Sequence, residues 1–566
     1  MYPDVVPMTP TQALSRLAEL RNTYGPGVGA ARVSLLLEIE GAGLPTAAQV
    51  RALHELLCFL HAYPDDARVF TLVSRMLQMF GSRRDVVRFR RRLEDSGIAG
   101  TDTVYPFGLS TARWLAERCG NSLTVEWPRV DHRELVEQRL QLFSLWGERP
   151  VFDEPPLEGR AWLDRLRGRA TDASFIVGRS AALPIRGMVK DQLYDELGLA
   201  LRVAAGATSP DRTRARVPGH RLVTQRGPLR AGRPDIVAEI MKPPGSIRRI
   251  GERRARVLLD MARESMVTRA RDLYTFTAAN VRDASVIDCG DGLEFFCVGV
   301  EPEQRLLLDA VYGILTLRNG VPIGYALFSA LWRSSEVAYN VFESFRGGES
   351  AWVYGRLLAT IRAMFSVDTF TIDPYQLGHH NDEGLESGAW WFYYKLGFRP
   401  WDPAAARLAA SESRKVAARR GYRTGPGILR KLVSANLFLQ VGPRRRGVLG
   451  AIPTDAIGLA VTDYVNARFG PDRERATRVL GDEAASELGV RDWRRWGAGQ
   501  RLFWERWAPL VALMPRLDEW TPAEKAGLAA IIRAKGGRRE SEFVARFDSH
   551  PRIGAAIIEM ARKRRV

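Results

Sequence analysis

Asn319-Gly320 sharply narrows the folds open to this chain. Both residues tolerate a positive φ, and a type I′ turn between antiparallel strands needs one at each of its two central positions. The dipeptide sits between residues 311–317 and 321–331, two runs rich in aliphatic, β-branched and aromatic side chains. A tight hairpin is predicted there. Upstream, Gly290-Asp291-Gly292 separates two further β-prone runs, 286–289 and 293–300, and predicts a second hairpin. Leu315 and Leu317 alternate with Ile314, and Tyr325 and Leu327 with Ala326 and Phe328, so both faces of these strands are apolar. A sheet of this kind needs cover on both sides, which argues for α/β layering.

The pattern continues with a strand over 336–343, a turn at Arg346-Gly347-Gly348 and a helix over 350–365 whose apolar stripe is Val353, Leu357, Ile361 and Met364. A strand over 369–372, a polar loop over 373–383, a helix over 385–396 and a closing strand from Phe398 complete the unit. On either side the spacing is helical. Leu53, Leu56, Leu57 and Leu60 mark one amphipathic helix near the N-terminus, and Trp493, Trp496, Phe503, Trp504 and Trp507 form an aromatic stripe that reads as packed core. The fold class expected is α+β or α/β: a mixed sheet with flanking helices, embedded between mainly α-helical N- and C-terminal regions. The length, 566 residues, predicts roughly three or four domains. We place them at 1–150 (helical), 151–265 (an Arg-rich connector, with a break at Pro155-Pro156), 266–405 (the α/β unit) and 406–566 (helical).

The formal charge of +18 suits an anionic partner. The densest basic stretch, from Arg212 to Arg256, has almost no interleaved aromatics, so it lacks the stacking groups that hold single-stranded nucleic acid. It reads first as a linker whose guanidinium groups cap carbonyls and pair with acids elsewhere; nucleic acid is a possible but unfavoured partner. The four cysteines show neither C-x-x-C spacing nor the density of a disulfide scaffold, and His54 and His61, seven apart, have no third metal ligand near them in sequence. No metal is expected there or at the adjacent His379 and His380. The first residues, Met1-Tyr2-Pro3-Asp4, carry no leader pattern, no run approaches a membrane span, and a cytoplasmic location is the expectation.

The order of elements over about 311–400 ends in Phe392-Tyr393-Tyr394-Lys395-Leu396-Gly397-Phe398, with Ala389 ahead of it. This run resembles the A-x-x-F-Y-x-K-L-G-F helix-to-strand signature of the GNAT superfamily of N-acyltransferases. The resemblance implies that acyl-coenzyme A, acetyl-coenzyme A or another, lies between two splayed central strands. Its pyrophosphate would rest on the loop Arg346, Gly347, Gly348, Glu349, Ser350 and Ala351, which aligns with the family's Q/R-x-x-G-x-G/A. Helix N-termini suit such a role because their amides lack partners and the dipole favours anions. Glu349 departs from the family's glycine, and Glu386 from its asparagine.

By position, the family's thiolate acid falls on Tyr393, with Tyr394 as its neighbour. A base for the amine is sought on the preceding strand at Glu343 or Glu336; Glu343 is preferred because it lies nearest the loop. The implied reaction is acyl transfer from acyl-coenzyme A to an amine acceptor, a small molecule or a protein. Two alternatives stand beside it: a catalytically silent GNAT-like module, motivated by Glu349 and Glu386, and a transferase that takes its acyl group from an aminoacyl-tRNA and uses the basic surplus.

Overall fold

Local turn chemistry and strand alternation dominate the centre of the chain. In the computed structural model, which describes residues 8–152, 157, 159–185 and 188–562, Asn319 and Gly320 adopt φ of 51° and 77°, as a type I′ hairpin requires. The expected break at Pro155-Pro156 and the first four residues lie outside the described residues.

Two sheets are present among the described residues. A small antiparallel one joins β1 (Thr103–Tyr105), β2 (Leu123–Val125) and β3 (Leu201–Val203) in the order β1-β3-β2. The large one begins with β4 (Ser246–Arg249), β5 (Ala279–Asp288), β6 (Leu293–Val300), β7 (Ala310–Arg318), β8 (Val321–Leu331) and β9 (Ser334–Val341), each antiparallel to the next. The helix Ser350–Phe365 then returns the chain so that β10 (Thr369–Ile372) lies parallel to β9. Two late strands, β11 (Arg399–Pro400) and β12 (Leu437–Gln440), finish the order β11-β12-β10-β9-β8-β7-β6-β5-β4.

Both faces of the large sheet are covered, as the two-sided apolar pattern predicted. Phe295, Ile314, Ala326 and Phe328 pack with Val353, Leu357 and Ile361 of the Ser350–Phe365 helix and with Trp507, Phe543 and Phe547 from the C-terminal helices. Phe296, Val298, Leu317 and Ile323 pack instead with Leu57, Phe59, Leu258 and Phe276. A separate apolar cluster surrounds the small sheet, around Leu115, Leu123, Ile176 and Leu201. The aromatic stripe of the C-terminal region is core: Phe503, Trp504 and Trp507 are at most 1% exposed.

Several expectations are corrected. The strand expected over 336–343 ends at Val341, and Glu343–Phe345 form a 3-10 turn. The loop over 373–383 contains the helix Pro374–Leu377 and leads into Asp382–Glu386. Gly388, at φ 70°, interrupts the helix expected over 385–396, leaving Ala389–Lys395. The closing strand after Phe398 has two residues, and β12, inside a stretch expected to be helical, takes over the pairing with β10. A four-residue apolar run such as Leu437–Gln440 carries too few positions for its period to separate strand from helix.

The hairpin also anchors its surroundings. The Asn319 amide donates to the carbonyls of Ala62 (2.8 Å) and Val223 (2.9 Å), and its Oδ1 accepts from the Val223 N–H (2.8 Å), with Asn319 itself buried. We expect Asn319→Ala to destabilise the protein by about 2–3 kcal/mol in urea unfolding, because it strands buried polar groups and disfavours the positive φ. A loss under half a unit of kcal/mol would show that the turn, not its side chain, does the anchoring.

Part of the Arg-dense segment is tied down by its own charges. Arg212 pairs with Glu55 and donates to the Ser96 carbonyl at 2.6 Å, while Arg216 donates to the carbonyls of Asn319 (3.0 Å) and His220 (2.9 Å). Among the described residues, no helix is long and apolar enough to cross a membrane.

Candidate active site

β9 and β10 pair over only three residues, Ser334–Glu336 against Thr369–Thr371. After Ile372 the chain turns away at Asp373, which caps the next helix by accepting from the Tyr375 N–H at 2.8 Å. β9 runs on to Val341 with β8 as its only strand partner among the described residues, so a gap opens along its outer edge. The Ser350–Phe365 helix begins at the mouth of that gap, where the Tyr339 hydroxyl donates to the Ser350 carbonyl at 3.4 Å.

Aromatic side chains fill one side of the gap. Tyr354 lies between Tyr339 and Tyr393, with ring centroids 5.1 and 5.6 Å away. Burial raises the pKa of Tyr393 and keeps it a phenol, although the backbone N–H of Tyr339 bonds to its oxygen. The Tyr354 hydroxyl is buried with no hydrogen-bond partner among the described residues. Tyr394 stacks on Trp390 (4.8 Å) and receives Arg399 over its ring (4.2 Å).

On the other face of the sheet the register sets Ser329 opposite Glu336, Leu327 opposite Ala338 and Tyr325 opposite Asn340. Leu327, Ser329, Glu336, Ala338 and Asn340 are only half-buried, whereas Ala326, Phe328 and Val337 on the opposite face are at most 2% exposed. This strip is the part of the central sheet that its helical cover leaves accessible. Burial pushes the Glu336 carboxyl up to about 7, with repulsion from Asp373 and Asp309 adding to it. At the far end of the strip, Arg271 donates to the Tyr325 hydroxyl (3.2 Å) and pairs with Glu383 (3.0 Å), which Arg346 also approaches (3.7 Å).

Glu343 lies past the end of β9, 69% exposed, with Arg51 at 3.5 Å. Arg346 is half-exposed and donates to the Val341 carbonyl at 3.3 Å. Gly347 has φ 79° and open space where a Cβ would stand; Gly348 is 3.7 Å from Leu229 on the same measure; Ser350 and Ala351 open the helix. Glu349 is turned inward, 2% exposed, with Arg318 at 3.4 Å and the Arg230 N–H at 3.3 Å. Its charge is therefore met by an arginine behind the loop, and the side of Gly347 where a Cβ would stand is open. Glu386 is exposed on the Asp382–Glu386 helix. His54 bonds to the Thr213 hydroxyl (2.9 Å), His61 to that of Ser74 (3.2 Å), and the rings of His379 and His380 meet each other at 4.2 Å.

The structure thus brings Tyr393 and the start of the Ser350–Phe365 helix to the outer edge of β9, with Glu336 on the opposite face of the same strand. It adds Arg271, Tyr325, Tyr354 and Glu383, which sequence reasoning missed. Tyr325 carried a signal, its place on the same strand face as Leu327; Arg271 and Glu383 meet only through the fold. Compared with protein-family models, curated proteins and solved structures, the chain gives no match.

Proposed function

We propose that the protein is an N-acyltransferase of the GNAT type that moves an acyl group from acyl-coenzyme A to an amine. The observation that carries this reading is the β9–β10 pair, parallel for three residues and then open, with Glu336 on its last paired step and Tyr393 against the free edge. The closing-motif resemblance around Tyr393 supports it independently of the topology.

Each residue then has a physical task. Glu336, with a pKa of about 7, is half ionised near neutrality and takes the proton of the attacking ammonium. It is better placed for this than Glu343, which is off the strand and exposed. By the two-residue period of β9, the amide of Val341 lies on the same edge as that of Tyr339, which Tyr393 occupies, and can stabilise negative charge on a carbonyl oxygen. Tyr393 holds a proton at its Oη, ready for a departing thiolate. Arg346 and the amides of Gly347, Gly348, Ser350 and Ala351 would hold the pyrophosphate, and the thioester, when bound, supplies the activated acyl group.

Calorimetric titration with acetyl-coenzyme A is expected to give saturable binding that Arg346→Ala weakens; no binding at millimolar ligand would sink the reading in favour of a silent module. Tyr393→Phe is expected to lower turnover about tenfold, read as thiol release over an amine panel, with cofactor affinity unchanged. Equal turnover would remove Tyr393 from the mechanism. One observation favours the aminoacyl-tRNA alternative: a cavity of about 1070 Å³ beside β11 and β12 is lined by Arg399, Arg444, Arg445, Arg446 and Arg562. Tight binding of tRNA that collapses with salt, without acetyl-coenzyme A binding, would select it.

A further inference from the structure

In a chain with a net charge of +18, one pocket is acidic. It lies between the small sheet and the start of β5, has a volume of about 560 Å³, and is lined by Asp131, Asp191, Asp195 and Asp272 with no Lys, Arg or His among the described residues. The four carboxylates come from separate places: the loop before the helix Arg133–Phe143, two successive turns of the helix Met188–Asp195, and the turn after the helix Glu252–Val267.

This arrangement works against the stability of its own scaffold. Asp191 and Asp195 are four apart on one helix, a like-charge spacing that destabilises it, and Asp195 sits at the negative end of the helix dipole. None of Asp131, Asp191 and Asp195 forms an ion pair with a described residue. Burial pushes the carboxyls of Asp191, Asp195 and Asp272 above their ordinary range. Asp272 is fixed by the Gly108 N–H and the Thr111 hydroxyl, both at 2.8 Å. A Cβ placed on Gly108 would stand 3.3 Å from an oxygen of Asp272 and 3.6 Å from one of Asp195, so the two carboxylates converge on one point.

A second observation is independent of the charges. Tyr194 lines the pocket, is 2% exposed, and its buried hydroxyl has no hydrogen-bond partner among the described residues. Buried hydroxyls are ordinarily paired, and an orphan beside a cavity indicates a group that the cavity receives. The remaining walls include the rings of Tyr105, Phe107 and Tyr274, which suit methylenes and cations. Carboxylates spread around one pocket from three regions of the chain suit the separated ammonium groups of a single molecule.

We infer that this pocket binds a small organic polyamine, with one ammonium between Asp195 and Asp272 and the Tyr194 hydroxyl as a further partner. The inference stands apart from the acyl-transfer reading: Arg271 turns to Tyr325 and Glu383 on the sheet strip, while the next residue, Asp272, turns to Gly108 and Thr111 at the pocket.

The test is calorimetric titration of the full chain with spermidine at low salt, repeated with Asp195→Asn and Tyr194→Phe and with magnesium chloride as competitor. Saturable binding that Asp195→Asn weakens about tenfold and Tyr194→Phe severalfold, with thermal midpoints unchanged or raised, is the expected result. Removing an uncompensated charge or an unpaired hydroxyl leaves no reason for either variant to fold less well. The inference is overturned by an absence of saturable heat, by equal affinity in both variants, or by magnesium displacing spermidine at equal concentration.

Discussion

Glu336→Gln is expected to lower turnover by about a hundredfold or more while making the protein more stable above neutral pH. The two effects share one cause. In the unfolded chain the carboxyl titrates near its ordinary value of 4.5, and in the fold near 7. Between those values the folded state holds the proton more tightly, so stability from this group falls as pH rises from 4.5 to 7 and stays low beyond. The penalty amounts to about 1–3 kcal/mol at pH 8 and vanishes near pH 4. Glutamine keeps the shape and removes the charge, so thermal melts should show a gain at pH 8 and none at pH 4. Wild-type kcat/KM should fall on the acid side with a midpoint near 7, and Asp373→Asn, which preserves the helix cap, should move that midpoint down. A structural carboxylate predicts the reverse, a variant that melts earlier at pH 8; that outcome would end the assignment of Glu336 as base.

Much of the central sheet was legible because its signals are local. Asn319-Gly320 and Gly290-Asp291-Gly292 fix turns through backbone conformations that only a few residues adopt cheaply, and the two hairpins follow directly. The helix Ser350–Phe365 announced itself through a stripe of period 3.6. What escaped depends on distant partners. The end of β9 at Val341 leaves Glu336 on the strand and Glu343 beyond it, yet no glycine or proline marks it. Glu349 turns inward because Arg318, on the far strand of the hairpin, waits for it; from sequence its carboxylate reads as an obstacle in the loop. The acidic pocket was invisible for the same reason, since its four aspartates draw together from three regions of the chain.

Loss of Lys535 is expected to cost more than loss of any surface ion pair, and to reach the candidate base from a distance. Its ammonium is fully buried, donates to the carbonyls of Leu308 and Asp309 at 2.9 Å each, and pairs with the equally buried Glu540. Around it, Arg305 donates to the Lys535 carbonyl (2.6 Å), and Asp283 accepts from the Tyr312 hydroxyl (2.7 Å) and the Glu540 N–H (3.0 Å). This network ties the C-terminal helices to the start of β7. Lys535→Met leaves the buried Glu540 carboxylate with only the more distant Arg305, at 3.8 Å, and should destabilise by about 3–5 kcal/mol, whereas the double variant Lys535→Met/Glu540→Leu removes that carboxylate too, Arg305 keeping its carbonyl partners, and should lose clearly less. Asp309, whose carbonyl Lys535 holds, is also one of the carboxylates that raise Glu336. Released from that hold, Asp309 relaxes toward solvent, and the acid-side midpoint of the pH profile should move down in the single variant. Equal losses in the single and double variants would show packing, not charge pairing, to dominate this junction. A shifted profile would make the C-terminal helices part of the machinery that sets the base's pKa.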